Sequence, residues 1–65
     1  MTNISDKVRK ARKKAGLSQD KLAREADVAY NTIVKIESGE NKNPTIETLR
    51  SIAGALDVSV DELIN

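Results

Sequence analysis

A chain of 65 residues is long enough for only one small domain, which buries about 60% of its unfolded surface. The chain has no Cys and no His, so disulfides, thiolate metal sites, the usual zinc ligands and the commonest general base are excluded. Its apolar runs are too short to span a membrane, and MTNISDKVRK at the N-terminus has no signal-peptide core. We therefore expect a cytoplasmic protein that uses no metal or other cofactor.

The formal net charge of +1 hides an asymmetry along the chain. Residues 1–35 contain nine Lys or Arg and four Asp or Glu, a balance of +5, whereas residues 36–65 contain two and six, a balance of −4. Such an uneven distribution of charge is typical of a domain with one face that attracts phosphate. It also fits a solvated basic helix followed by acidic helices, and charge alone does not separate these two interpretations.

Caps and stops mark the first two helices. Ser5 is the predicted cap of a first helix that ends near Ala15, with Gly16 as its left-handed stop. Ser18 is the predicted cap of a second helix that runs to about Ala26.

Three further helices follow. The third is predicted at about 29–38 with Gly39 as its stop, Thr45 caps the fourth, and Ser59 and Glu62 form a capping box for the fifth. No segment alternates with period two, so the predicted fold is all-α with five helices. The fifth helix carries Val60, Leu63 and Ile64, and Ile4 lies just ahead of the first cap. The apolar positions expected to face inward are Val8, Ala11, Ala15, Leu22, Ala23, Ala26, Val28, Ile33, Ile36, Ile46, Leu49, Ile52, Ala53 and Leu56.

The segment 19–38 predicts two helices joined by a short turn. Ala23 lies where the helices would cross, and its small side chain allows close approach. Ile33 and Ile36 share one side of the second of these helices. The opposite side and its flanks, which we call the outer face, carry Tyr30, Asn31, Thr32, Val34 and Lys35. Its donors, acceptors and single cation suit base edges and phosphates.

Three motifs in register cover nearly the whole chain. They are AGLSQDKLA at 15–23, TIVKIESGE at 32–40 followed by NP at 43–44, and TIETLRSIAGALDVSVDELI at 45–64. The sequence resembles the phage repressor and Cro family of helix-turn-helix domains, also called the xenobiotic-response-element (XRE) family. The resemblance implies one five-helix DNA-binding domain over 1–65, with the motif at 19–38, a recognition helix at about 29–38 and no enzymatic activity.

The resemblance also implies a role in DNA binding for individual residues of this chain. It implies that Gln19 touches phosphate or an outer base, and that Arg12 pairs with Glu37 as a structural tie. The base-reading positions are Tyr30, Asn31, Thr32 and Lys35. The positions that grip the DNA backbone are Ser38, Asn41, Lys42 and Asn43.

Four positions depart from what the pattern or helix propensity favours. Asp27 replaces the glycine of the turn, which Asp tolerates at some cost, and Ala29 replaces the Ser or Thr cap of the recognition helix, a loss of about 1 kcal/mol. Val34 replaces a polar residue on the outer face, either as a contact for a thymine methyl or as an exposed valine. Gly54 costs roughly 1 kcal/mol against Ala inside the fourth helix, which close helix packing would explain.

The expected function is sequence-specific binding of double-stranded DNA by a transcriptional regulator. With no effector domain attached, we expect a repressor that occludes a promoter. One such domain reads few base pairs, so we expect a homodimer on an inverted repeat with half-sites about 34 Å apart. The candidate dimer residues are Val58, Val60, Leu63 and Ile64.

Two alternatives stay open beside DNA binding. The same fold could serve as an antitoxin-like or coactivator-like protein-interaction module, although the basic half and the polar outer face favour DNA. An enzyme ranks third, because no catalytic constellation is present. No membrane partner and no small-molecule substrate is expected.

Overall fold

Five α-helices follow one another in the computed structural model, which describes residues 3–65. They are α1 (Ile4–Lys14), α2 (Gln19–Ala26), α3 (Tyr30–Ser38), α4 (Ile46–Leu56) and α5 (Val60–Ile64), with no strand among the described residues. The predicted all-α, five-helix fold is therefore confirmed. Within residues 3–65 no helix combines the length and the apolar character that crossing a membrane requires.

Local side-chain caps start three of the helices as predicted. Ser18 accepts a hydrogen bond from the Lys21 amide at 3.0 Å, and Thr45 caps α4 in the same way. Ser59 and Glu62 form the expected capping box of α5. Each cap supplies an acceptor to an amide that has no partner within its own helix.

The predicted cap of α1 is wrong. Asn3, not Ser5, caps this helix, because its side chain accepts a hydrogen bond from the Asp6 amide at 2.9 Å. Ser5 lies inside the first turn and donates its hydroxyl proton to the main-chain carbonyl of Glu37, 32 residues away. Both residue types are good caps, and a contact with another helix decides between them.

Two helices end in the same sequence-encoded turn. Asp27 after α2 and Asp57 after α4 both have φ +58°, and each is followed by a valine whose amide donates to a carbonyl five residues earlier. These are Schellman motifs, in which Asp takes the left-handed position usually given to Gly. The prediction that Asp27 maintains the turn is confirmed, and Asp57 is a second instance that sequence reasoning missed.

The core lies between all five helices. α1 packs on α3 and α5, while α2 packs on α3 and α4, so α3 is supported from two sides. The buried apolar side chains are Val8, Leu22, Ala23, Ala26, Ile33, Ile36, Leu49, Ile52, Ala53, Leu56 and Leu63.

Two apolar residues expected to face inward are exposed instead. Ile46 is 54% exposed at the first position of α4, and Ala15 lies on the surface where α1 ends. Both lie at a helix end, where the helical period still points inward but the neighbouring helices no longer cover the position. On α5, Leu63 is completely buried, whereas Ile64 is 45% exposed.

Gly54 lies on the open side of α4, so the suggestion of close helix packing is wrong. A Cβ added there would meet no atom within 4 Å, and the φ of Gly54 is not positive. Gly54→Ala should therefore raise the free energy of unfolding by about 0.5–1 kcal/mol, because alanine loses less backbone entropy in a helix. Urea unfolding followed by circular dichroism would measure the change.

Gly39→Ala is the matched control for this substitution. Gly39 also has free space around it, but its φ is +85°, where an L-residue is strained. The same change should therefore lower stability at Gly39 and raise it at Gly54. A loss of stability in Gly54→Ala would contradict an open surface at this position.

Candidate nucleic-acid interface

The outer face of α3 is accessible along its length. Tyr30 is 51% exposed, Asn31 and Lys35 are exposed, and Thr32 and Val34 are half-buried. Behind them, Ile33 and Ile36 have no exposed surface and fix the helix to the core. The face thus offers a phenol, an amide, a hydroxyl and an ammonium group to a partner, with a methyl-bearing valine between them.

The first turn of α3 has no side-chain cap. Ala29 takes an extended conformation with φ −66° and ψ 142°, but it has no side-chain acceptor, and the first turn contains no acidic residue. The amides that begin α3 therefore lack the kind of acceptor that Ser18 supplies to α2. The positive end of the helix dipole lies beside Tyr30 and Asn31.

Arg12 and Glu37 form a buried ion pair that joins α1 to the end of α3. Arg12 Nε lies 2.7 Å from Glu37 Oε2, and Arg12 Nη2 lies 3.0 Å from Oε1. The side chains are only 13% and 3% exposed. The third guanidinium nitrogen, Nη1, donates to the carbonyl of Leu17 at 2.8 Å, so the buried charges are paired and hydrogen-bonded on both sides.

Gln19 belongs to the same cluster. Its side-chain amide donates to Glu37 Oε1 at 3.1 Å, so α2 is tied to the same carboxylate as α1. The sequence-based expectation gives Gln19 a phosphate or outer-base contact. In the structure one proton of its NH₂ group is directed at Glu37, and the second proton and the side-chain oxygen are not used in that bond. The contact of Gln19 with DNA stays a prediction.

Sequence reasoning missed two residues that hold the main chain of Glu37. Ser5 Oγ and Arg9 Nη2 both donate to the Glu37 carbonyl oxygen, at 2.9 and 2.8 Å. This oxygen is among the carbonyls that a helix end leaves without a partner, and a cation there also suits the helix dipole. No local sequence signal indicates this contact, because Arg9 and Ser5 are 28 and 32 residues away from Glu37 along the chain.

The loop at 38–43 folds back onto the last turn of α3. Ser38 Oγ donates to the Lys35 carbonyl at 3.1 Å, and the Asn41 amide donates to the same carbonyl at 3.0 Å. The Asn43 amide donates to Asn41 Oδ1 at 3.1 Å, and Lys42 and Asn43 are exposed. The four residues expected to grip the DNA backbone therefore adjoin the C-terminal end of the outer face.

Lys35 has an acidic neighbour in this loop. Its Nζ lies 3.8 Å from Glu40 Oε2, and the two side chains are 51% and 68% exposed. The only cation of the outer face is therefore ion-paired, which sequence reasoning missed. In residues 3–65 no three acidic side chains come together as a possible metal site.

Comparisons with known proteins agree with this geometry. A family model described as helix-turn-helix matches residues 8–63. The chain is 37% identical over 62 residues to the HTH-type transcriptional regulator SinR of Bacillus licheniformis, which covers 95% of this chain and 56% of SinR. It is 38% identical over 60 residues to the cryptic phage CTXphi transcriptional repressor RstR of Vibrio cholerae, with 92% of this chain and 53% of RstR covered. The chain thus spans about half the length of these curated relatives.

A solved structure extends the likeness to three dimensions. The crystal structure of SinR, master regulator for biofilm formation, in complex with DNA superposes with a TM-score of 0.90 at 37% identity. The match covers 92% of this chain and 95% of that one. Since the family model covers most of the chain and the fold agrees over 92% of it, this chain belongs to the helix-turn-helix family of the phage repressor and Cro (XRE) type.

Proposed function

We propose that this chain is a DNA-binding transcriptional regulator that recognises a specific duplex sequence and has no enzymatic activity. The observation that carries the proposal is the outer face of α3, on which Tyr30, Asn31 and Lys35 are exposed. The helix is held from behind by Ile33, Ile36 and the Glu37 cluster. The similarity to SinR supports it, because SinR has been crystallised in complex with DNA. In this proposal, residues 1–65 form one domain, and α3 is the recognition helix of a motif at 19–38.

α3 would enter the major groove with its outer face toward the bases. Asn31 can bond both N6 and N7 of an adenine, and Lys35 can donate to O6 and N7 of a guanine. Tyr30 and Thr32 flank them with a phenol and a hydroxyl, and Val34 can contact a thymine methyl. Tyr30 and Asn31 lie at the helix N-terminus, which also favours a nearby phosphate.

Contacts with the DNA backbone would set the position of α3. Ser38, Asn41, Lys42 and Asn43 lie beside its C-terminal end, and the uncapped amides of α3 lie at the other end. Gln19 would add a contact with phosphate or an outer base at the start of α2. Such contacts orient the domain without reading sequence, and they make binding depend steeply on salt.

We further propose repression by promoter occlusion, with two copies on an inverted repeat. The relative RstR is named a transcriptional repressor, which supports this direction of control. Of the four dimer residues expected from the sequence, Leu63 is buried in its own core and is removed from the set. Ile64 stays the strongest candidate at 45% exposure, with the half-buried Val58 and Val60 beside it.

Selection of bound duplexes from a random-sequence pool tests the proposal directly. We expect enrichment of an inverted repeat whose half-sites are about one helical turn, roughly 34 Å, apart. Sedimentation of the protein on the selected duplex should then show two copies per site. A pool that stays random after repeated rounds would refute sequence-specific binding. A single half-site bound by one copy would refute only the dimer.

A further inference from the structure

Glu40 is the one acidic residue exposed among the side chains that form the outer face and the loop at 38–43. Glu37 is also acidic, but it is 4% exposed and committed to Arg12 and Gln19. Every other position of the proposed DNA contact is neutral or cationic. A carboxylate beside phosphates repels them, so Glu40 opposes the attraction that the rest of this surface provides.

The backbone of the loop fixes the place of Glu40. Its amide donates to Ser38 Oγ at 3.3 Å, and the same hydroxyl donates to the Lys35 carbonyl. The Asn41 amide also donates to the Lys35 carbonyl, so the chain on both sides of Glu40 is anchored to one residue of α3. This places the Cα of Glu40 beside the end of α3, and its carboxylate lies 3.8 Å from the Lys35 ammonium group.

The ion pair between Glu40 and Lys35 adds little to the folding stability of the domain. Both side chains are more than half exposed, and exposed pairs contribute little to folding because water screens them. The consequence for binding is different, because the carboxylate lowers the positive potential around the only cation of the outer face. Lys35 has three ammonium protons, so one can stay directed at Glu40 while the others reach two acceptors on a base.

We propose that Glu40 is a specificity-determining residue, which lowers affinity for DNA of any sequence while leaving Lys35 able to donate to base edges. On an arbitrary duplex, Lys35 could otherwise approach the nearest phosphate, and the pairing with Glu40 reduces that gain. On the selected site, Glu40 keeps the ammonium group beside the C-terminal end of α3. This inference rests on the proposed function and names a residue that regulates its selectivity.

Glu40→Gln tests the proposal on the full 65-residue chain. Fluorescence anisotropy would give dissociation constants for the selected duplex and for a scrambled duplex of equal length, over a series of salt concentrations. We expect roughly three- to tenfold tighter binding to the scrambled duplex at low salt and less than about a twofold change on the selected one. The salt slope on the scrambled duplex should steepen by about 0.9, as one more phosphate contact predicts.

Two controls separate this role from net charge and from folding. Asp61→Asn makes the same charge change on α5, which packs on α1 and α4, and it should alter both duplexes alike by less than about twofold. In the Lys35→Ala background, Glu40→Gln should no longer steepen the salt slope. Both single variants should keep the thermal transition of the unmodified protein.

The failures are distinguishable. If Glu40→Gln weakens binding to the selected duplex, or matches Asp61→Asn on both duplexes, the role of Glu40 is refuted and DNA binding stands. If the unmodified protein binds neither duplex, the proposed function itself fails, and the role of Glu40 fails with it.

Discussion

Glu37→Ala should lower the free energy of unfolding by about 3–5 kcal/mol, because it leaves the Arg12 guanidinium largely buried without its counter-charge. It also removes the acceptor of the Gln19 amide. A chain of this size has a total stability of roughly 3–10 kcal/mol, so the variant should be at or near the limit of folding. Urea titration followed by circular dichroism would measure the loss.

Two comparisons identify the buried pair as the cause. Glu25→Ala removes an exposed glutamate from α2 and should change stability by no more than about 0.5 kcal/mol. Arg12→Met combined with Glu37→Leu removes both charges and should be more stable than Glu37→Ala alone, because no ion is left unpaired. If Glu37→Ala costs less than about 1 kcal/mol, this cluster does not hold α3 in place.

Asn31→Ala and Lys35→Ala should each weaken binding to the selected duplex by about 1–3 kcal/mol, roughly five- to 150-fold. Asn31→Ala removes two bonds to one base, so it should relax the preference at a single base pair and leave the salt slope unchanged. Lys35→Ala removes the cation of the outer face, so it should also reduce discrimination at its base. Both side chains are exposed, and neither change should lower stability appreciably.

Lys13→Ala is the matched control for the loss of a cation. Lys13 is exposed on α1 and makes no ion pair among the described residues. It should change affinity for selected and scrambled duplexes alike and by much less than Lys35→Ala does. If neither Asn31→Ala nor Lys35→Ala alters the affinity for the selected duplex, α3 does not read sequence. A protein-interaction module on the same fold would then be the better interpretation.

Local chemistry explains why most of the helices could be predicted. A cap such as Ser18 and a left-handed stop such as Gly39 act within four or five residues, so the sequence contains the whole interaction. The start of α1 could not be predicted in this way. Asn3 and Ser5 are equivalent as local caps, and the choice depends on the carbonyl of Glu37 on another helix.

The sequence also did not determine which apolar residues at the helix ends are buried. Helical periodicity gave Ile46 and Leu49 the same inward expectation, but only Leu49 lies in the core. Periodicity describes one helix alone, whereas burial depends on where the neighbouring helices stop. Gly54 is the opposite case, a position expected to be packed that is open. Its lack of a side chain suggested a closely packed helix, but no atom lies within 4 Å of a Cβ added at this position.

The amino-acid sequence by itself determined the five helices, the family and the outer face of α3, because caps, helical period and motif spacing are properties of short segments. The resemblance already implied the tie between Arg12 and Glu37. Only the tertiary structure showed that Ser5, Arg9 and Gln19 also converge on Glu37, and that Glu40 pairs with Lys35. The Glu37 contacts join residues 18 to 32 positions apart, and the Glu40 contact depends on a loop folding back on α3. The Glu37 contacts do not follow from a local pattern, because they are set by how the packed helices bring separate segments of the chain together.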